Sequence, residues 1–238
     1  MTTFTAQDTV GDIVTRTPAL SRIFEKARID YCCGGKRPLG EVCQEKGIDV
    51  EAILTELGVA ASVESGPTLD LETVSLSDLV DNIVGMHHVY LRTEVPRLDA
   101  LTAKVASVHG DKDERLLSVR EKYTALANEI SSHMVKEEQM LFPMIKELDG
   151  NDTNPEFHCG SISNPILQME SEHDDVGATL AALSDLTDNY TPPDWACNTY
   201  RAMLDGLNDL ERDLHQHIHK ENNVLFPRTL AQENELTQ

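Results

Sequence analysis

The chain has no run that approaches the ~20 consecutive apolar residues of a membrane-spanning helix, and its first residues, MTTFTAQDTVGD, lack the basic-then-apolar build of a secretory signal. Both absences predict a cytoplasmic protein that does not enter a membrane. Positive charge is equally scarce: 20 lysines and arginines stand against 41 acidic residues, a formal charge of −21. Nucleic acids and anionic lipid surfaces both need a basic face, so neither is an expected partner, and the acidic surplus serves solubility. Cysteine is sparse and odd in number, five in 238 residues. Without an export signal this argues against a disulfide framework and predicts reduced thiols. The period-two alternation of a half-buried strand is missing throughout, so the chain reads as all-α.

What is present is helical punctuation. Residues 1–58 break into short pieces, TVGDIVTR, then PALSRIFEKARI opened by Pro18, PLGEVCQEKG opened by Pro38, and DVEAILTEL stopped by Gly58. They predict a small helical domain. VAASVESGPTLDLETVS, residues 59–75, is poor in large apolar side chains, carries Gly66-Pro67 and reads as a linker. From Leu76 four long helical patterns follow, interrupted near residues 106–113, 149–163 and 187–194 by Gly, Asp, Asn and Pro clusters. They predict a four-helix bundle over residues 76–232.

Each pattern carries one apolar stripe with a polar interruption. The first runs Val80, Val84, His87 or His88, Leu91, Val95, Leu98, and periodicity does not separate the adjacent histidines. The second runs Tyr123, Leu126, Ile130, His133, Glu137, Met140, and the third Ile166, Met169, His173, Val176, Leu180, Leu183. The fourth runs Tyr200, Met203, Leu207, Leu210, Leu214, His217, Glu221, Val224. Two nearly identical strings, HMVKEEQMLFP at 133–143 and HIHKENNVLFP at 217–227, hold the two His/Glu pairs. Four residues turn a helix by about 400°, so the members of each pair point the same way.

A single histidine on an apolar stripe is most often a hydrogen-bonded core residue. Four helices that each bury a histidine, two of them with a glutamate as well, are another matter. An unpaired buried carboxylate costs several kcal/mol or must protonate, and a metal removes that penalty. Four imidazoles and two carboxylates exceed one tetrahedral zinc but divide over two ions bridged by the glutamates, a donor set suited to non-haem iron. Ferritin-type centres use two Glu-x-x-His motifs, and that spacing occurs once here, at Glu170 and His173. His109 follows His88 by 21 residues, ~31 Å along an unbroken helix, and could reach the same metal only if the chain turned back at Pro96 or later. His215 and His219 are expected to be solvated, and His158 to lie in a loop.

One further motif is DYCCGGKRPL at 30–39. Adjacent cysteines pair with each other only in a strained geometry, so Cys32 and Cys33 read as thiols. Gly34 and Gly35 permit close approach of another group. Lys36, Arg37 and a helix start near Pro38 predict accessible thiols of lowered pKa, against the plainer reading of two small residues in a tight turn.

Across almost its whole length the chain resembles the iron-sulfur cluster repair di-iron proteins, the repair-of-iron-centres family. The resemblance rests on DYCCGG, on HH followed by VHGDK between 87 and 112, on SSHMVKEEQMLFPMIK, on MESEHD around His173 and on HIHKENNVLFPR. It implies a hemerythrin-like four-helix bundle preceded by the small helical domain. It also implies two non-haem iron ions, oxo- or hydroxo-bridged, on His88, His133, Glu137, His173, His217 and Glu221, and so selects His88 over His87. Cys32 and Cys33 match the family's cysteine pair. The function implied is restoration of iron-sulfur clusters damaged by nitric oxide or oxidants, by iron donation or by redox chemistry such as nitric oxide reduction. Damaged iron-sulfur proteins would then be partners and nitric oxide or oxygen small ligands, and nothing stands against a homodimer. The competing reading is a hemerythrin-type sensor or carrier of oxygen, nitric oxide or iron. Oxygen-carrying hemerythrins have a second histidine where this chain has Gly177, and a carrier has no need of the cysteine-bearing domain.

Overall fold

The computed structural model describes residues 4–61, 69–151, 155–158 and 160–237. The middle of the expected linker, residues 62–68 with Gly66 and Pro67, lies outside the described residues. The fold is all-α, a helical bundle with a small helical N-terminal domain, and among the described residues β-pairing is limited to two isolated bridges. The chain divides into two compact units: Met1–Val80 with Ile145–Glu156 and His215–Gln238, and Asp81–Met144 with Phe157–Leu214.

The first unit begins with α1 (Val10–Arg16), α2 (Ser21–Ala27), α3 (Leu39–Lys46) and α4 (Val50–Ala61). Thr9 caps α1 by accepting the Asp12 N–H at 3.2 Å, and Asp12 and Arg16 place their charges to suit the helix dipole. α3 ends on Gly47 at φ 67°, the left-handed closing residue that glycine adopts without strain. These helices enclose a core of Val10, Ile13, Leu20, Phe24, Leu39 and Leu57. α4 does not stop at Gly58 but continues to Ala61. A helical glycine costs about 1 kcal/mol relative to alanine but keeps its N–H, so Val59, Ala60 and Ala61 extend the helix.

The described end of the expected linker is not a free tether. Leu71 is buried, and Arg228 donates to the carbonyls of Leu71 and Val74 at 3.2 and 2.6 Å. Leu71 supplies an apolar anchor that composition averaged over the stretch conceals. The last helix, α11 (Phe226–Leu236), runs beyond residue 232, with Pro227 in its first turn, where a missing N–H is harmless.

In the bundle α5 (Leu76–Ile83) leads into α6 (Val89–His109), and α7 (Arg115–Lys136) into α8 (Phe142–Asp149). α9 (Ser163–Leu186) is uninterrupted, and α10 (Asn198–Lys220) leads into α11. The three joins are π-helical: Val84–His88, Glu137–Leu141 and Glu221–Leu225. Each wide turn takes up extra residues, so the apolar stripe slips. Ile83 is buried where the 3.6-residue period placed Val84, and Leu141 is buried where it placed Met140, which is 38% exposed. α9 has no such join, and the whole stripe from Ile166 to Leu183 is buried as expected.

α6 passes through Pro96 without a break. The Tyr123 hydroxyl donates to the Val95 carbonyl at 2.7 Å, which ties α7 to α6 beside the proline. In the second unit α10 packs close to α6 at Gly206, where a Cβ would stand 2.7 Å from Leu98 Cδ2.

Candidate metal centre

In the second unit, His88 closes one π-turn, His133 occupies the last turn of α7, Glu137 opens the next π-turn and His173 lies midway along α9. All four are buried. His133 Nε2 lies 3.2 Å from one Glu137 oxygen and His88 Nε2 lies 3.3 Å from the other. His173 Nε2 is 3.0 Å from His133 Nε2, and donor atoms of His133, Glu137 and His173 all fall within 4.8 Å of one another.

The outer ring nitrogens determine what the inner ones carry. His88 Nδ1 donates to Glu138 at 2.6 Å, and Arg92 holds Glu138 at 2.5 and 2.6 Å. His133 Nδ1 donates to Glu172 at 2.8 Å, and Glu172 is held by Lys136 and by Gln168 at 2.9 Å. Burial alone would raise Glu172, but the bonds from Lys136, Gln168 and His133 outweigh it and hold the carboxyl near pKa about 2. Glu138 is likewise below its ordinary value, because His88 and Arg92 outweigh burial. Ionised carboxylates only accept, so the Nδ1 atoms carry the protons and the Nε2 lone pairs point inward.

Those lone pairs face Glu137, itself only an acceptor when ionised, and among the described residues neither Glu137 oxygen accepts a hydrogen bond. Acceptors facing acceptors at 3.2–3.3 Å repel unless a cation lies among them. This environment fits a metal ion held by imidazole and carboxylate, the donor set of non-haem iron. In the first unit the second motif repeats the chemistry: His217 ends α10, Glu221 opens its π-turn, both are buried, and His217 Nε2 is 3.1 Å from Glu221 Oε1.

Other histidines go elsewhere. His87 is buried beside His88 but bonds Asp213 at 2.8 Å. His109 stands at the far end of the continuous α6, against Trp195 and Tyr200, with Nε2 3.3 Å from Cys197 Sγ. The Cys197 thiol, unremarked in the sequence, is exposed and brought down to about 7 by the Tyr200 N–H and His109. His158 is exposed in a turn, as expected.

The expectation that His215 and His219 are solvated is overturned. The Tyr31 ring lies 6.0 and 5.6 Å from their rings, and His219 is buried, bonding the Tyr31 carbonyl at 3.2 Å and Thr15 at 3.3 Å. Burial pushes His219 down to about 4 against the pull of that carbonyl. The DYCCGG loop thus sits on the outer face of the second motif, within the first unit. Asn223 donates to the carbonyls of Tyr31 at 3.3 Å and Cys32 at 2.8 Å. Gly35 packs so closely that a Cβ there would lie 2.2 Å from Asn223 Oδ1.

The expectation of accessible, low-pKa thiols fails for Cys32. It is buried, and its thiol is raised by the hydrogen bond with Cys33, by burial and by the Asp30 carboxylate. Arg37, expected to lower it, is paired with Glu45. Cys33 is partly exposed.

Residues 79–229 match the hemerythrin HHE cation-binding domain, and residues 6–61 match ScdA_N, a domain of unknown function. Fold and donor set together define a hemerythrin-type cation-binding bundle with an added N-terminal domain. The chain is 43% identical over 224 residues to the iron-sulfur cluster repair protein YtfE of Enterobacter sp. (strain 638), and 42% to that of Citrobacter koseri. It is 41% identical to that of Escherichia coli O157:H7, with 94% of this chain and 97% of each relative covered in all three cases. The chain belongs to this family of iron-sulfur cluster repair proteins.

Proposed function

We propose that this protein restores damaged iron-sulfur clusters using a di-iron centre whose ligands are His88, His133, Glu137, His173, His217 and Glu221. The observation that carries the reading is the pair of inward-facing Nε2 atoms on His88 and His133, locked by Glu138 and Glu172 and aimed at one Glu137 carboxylate. Two copies of one His/Glu motif, both inside the hemerythrin match, support two bridged ions rather than one. Non-haem iron, when bound, supplies ligand-exchange and redox chemistry toward nitric oxide or oxygen. The chain's own residues fix the His88 and His133 tautomers, exclude water and keep Glu138 and Glu172 ionised. Phe142, stacked on His88 at 5.7 Å, and the buried surroundings of Glu137 shield those groups.

Cys32 and Cys33 serve the repair in this reading, and damaged iron-sulfur proteins are the partners. Residence in the cytoplasm accords with it, and among the described residues no helix is long and apolar enough to cross a membrane. The test is iron content with a visible-region spectrum, followed by addition of the protein to a nitric-oxide-damaged dehydratase. Recovery of dehydratase activity in proportion to iron-loaded protein is expected. A folded protein that takes up no iron, or a loaded one that restores nothing, refutes the reading.

A further inference from the structure

The loop between α2 and α3 is wound around one carboxylate. Asp30 Oδ1 accepts the N–H groups of Cys32 at 2.9 Å and Cys33 at 3.0 Å, and Oδ2 accepts that of Gly34 at 2.8 Å. The winding brings both thiols to the same side as the carboxylate. Cys32 Sγ is 3.1 Å from Asp30 Oδ1 and 3.8 Å from Cys33 Sγ, and the three donor groups lie within 4.8 Å of one another. Asn223 holds the base of the loop by the Tyr31 and Cys32 carbonyls, so the arrangement is braced before any ligand arrives.

We propose that Asp30, Cys32 and Cys33 form a second cation site, separate in its ligands from the His/Glu groups, that takes a thiophilic divalent ion. The sulfur separation is the first support. Metal–sulfur bonds of ~2.3 Å at a tetrahedral angle place two sulfurs ~3.8 Å apart, the separation seen between Cys32 and Cys33. Charge is the second. Two thiolates and a carboxylate whose donor atoms all lie within 4.8 Å of one another would repel, and a divalent cation among them removes that repulsion. On binding, two S–H protons leave to solvent as two metal–sulfur bonds form, and no electron is transferred. Thiolate donors select iron(II), zinc(II) or cadmium(II) over magnesium or calcium.

Three protein donors leave one tetrahedral position for a ligand from outside, the mark of a site that exchanges its ion rather than one that staples a fold. Cys33 is partly exposed, which provides an approach. The site stands independently of the cluster-repair reading, and under that reading its natural occupant is iron(II) in transit.

The test is titration of the reduced, iron-loaded, full-length protein with cadmium(II) in the absence of air. The expected result is a near-ultraviolet thiolate-to-cadmium absorption that saturates at one equivalent, with two protons released and the visible iron spectrum unchanged. Cys32→Ser should abolish the absorption, whereas Cys197→Ser should retain it. Asp30→Asn keeps an oxygen for the Cys32 and Cys33 N–H groups but removes the charge and the acceptor of the Gly34 N–H, and should weaken cadmium binding at least tenfold. No absorption in the unaltered protein, absorption that survives Cys32→Ser, or iron released in proportion to cadmium bound would each overturn the proposal. Should Asp30→Asn fail to fold, the serine variants decide alone. Cluster repair is measured separately, so a failed repair assay leaves the cadmium result readable.

Discussion

The two copies of the His/Glu motif share their inner chemistry and differ on their outer face. In both, the histidine closes an α-helix, the glutamate opens a π-turn, and a Leu-Phe-Pro run starts the next helix. In the first copy the position two beyond the histidine is Val135, 51% exposed, and Gln139 also meets solvent. In the second copy the equivalent positions are His219 and Asn223, which hold the backbone of the DYCCGG loop. The position after the glutamate diverges too: Glu138 orients His88, whereas Asn222 is buried. Binding a cation requires only the inward pair and its apolar frame. The outward positions of the same string are therefore free to meet water in one copy and to seat a loop in the other.

The largest effect should come from the part the copies share. Glu137→Ala removes the carboxylate that faces two imidazoles, and Glu221→Ala removes its counterpart. Each should lower bound iron well below that of the unaltered protein, by at least half in metal analysis. Full occupancy in both variants would dismiss these glutamates as ligands. His109→Ala, at the far end of α6, should leave iron content unchanged in the same measurement.

Next come the outward positions of the second copy. Gly35→Ala would drive a Cβ into Asn223, which cannot move aside without releasing two carbonyls, and should cost about 3 kcal/mol in denaturant unfolding. Asn223→Ala should cost about 2 kcal/mol by removing the donor of the Cys32 carbonyl and one of two partners of the Tyr31 carbonyl, which keeps His219. In the double variant the two losses should fall short of their sum, because the clash has lost its partner. Strict additivity would mean that the two residues do not share one contact.

Alkylation mapped by mass spectrometry sharpens the comparison further. In the unaltered protein Cys197 should react first, its rate rising as pH passes through about 7, while Cys32 lags because its thiol is buried and raised. Asn223→Ala should speed alkylation of Cys32 several-fold and leave Cys197 unaffected. The smallest effects belong to the outward face of the first copy: Gln139→Ala and Val135→Ala should each change stability by no more than about 0.5 kcal/mol. A larger loss at either position would mean that this face is covered after all.

Much of the burial pattern was legible in the sequence. His133, Glu137, His173, His217 and Glu221 interrupt apolar stripes at helical spacing, and all are buried. Burial departs from the 3.6-residue pattern where the helix is not an α-helix. A constant 3.6-residue period points Val84 and Met140 inward, and the π-turns interrupt that period. The same wide turn buries both His87 and His88, so no periodicity could separate them. Asp213 engages the first and Glu137 lies beside the second. The roles of Glu138 and Glu172 are not legible in the sequence, because a charged residue beside a stripe is ordinarily a solvated one. Only the helix that lies opposite makes it a partner of a histidine.

The sequence by itself determined the all-α class, the short N-terminal helices and the placing of histidines and glutamates inside a helical bundle. Those features follow from spacing along the chain, and burial of an apolar stripe is a local requirement that each helix carries with it. Tertiary structure decided which nitrogen of His88 and of His133 holds a proton, which cysteine is shielded and which histidines lie beneath the loop. Such properties depend on groups about 3 Å away in space that are remote in the chain, as Tyr31 is from His219 and Glu172 from His133. A hydrogen bond or a neighbouring charge acts over that short distance whatever the separation in sequence, so residue spacing alone carries no record of it.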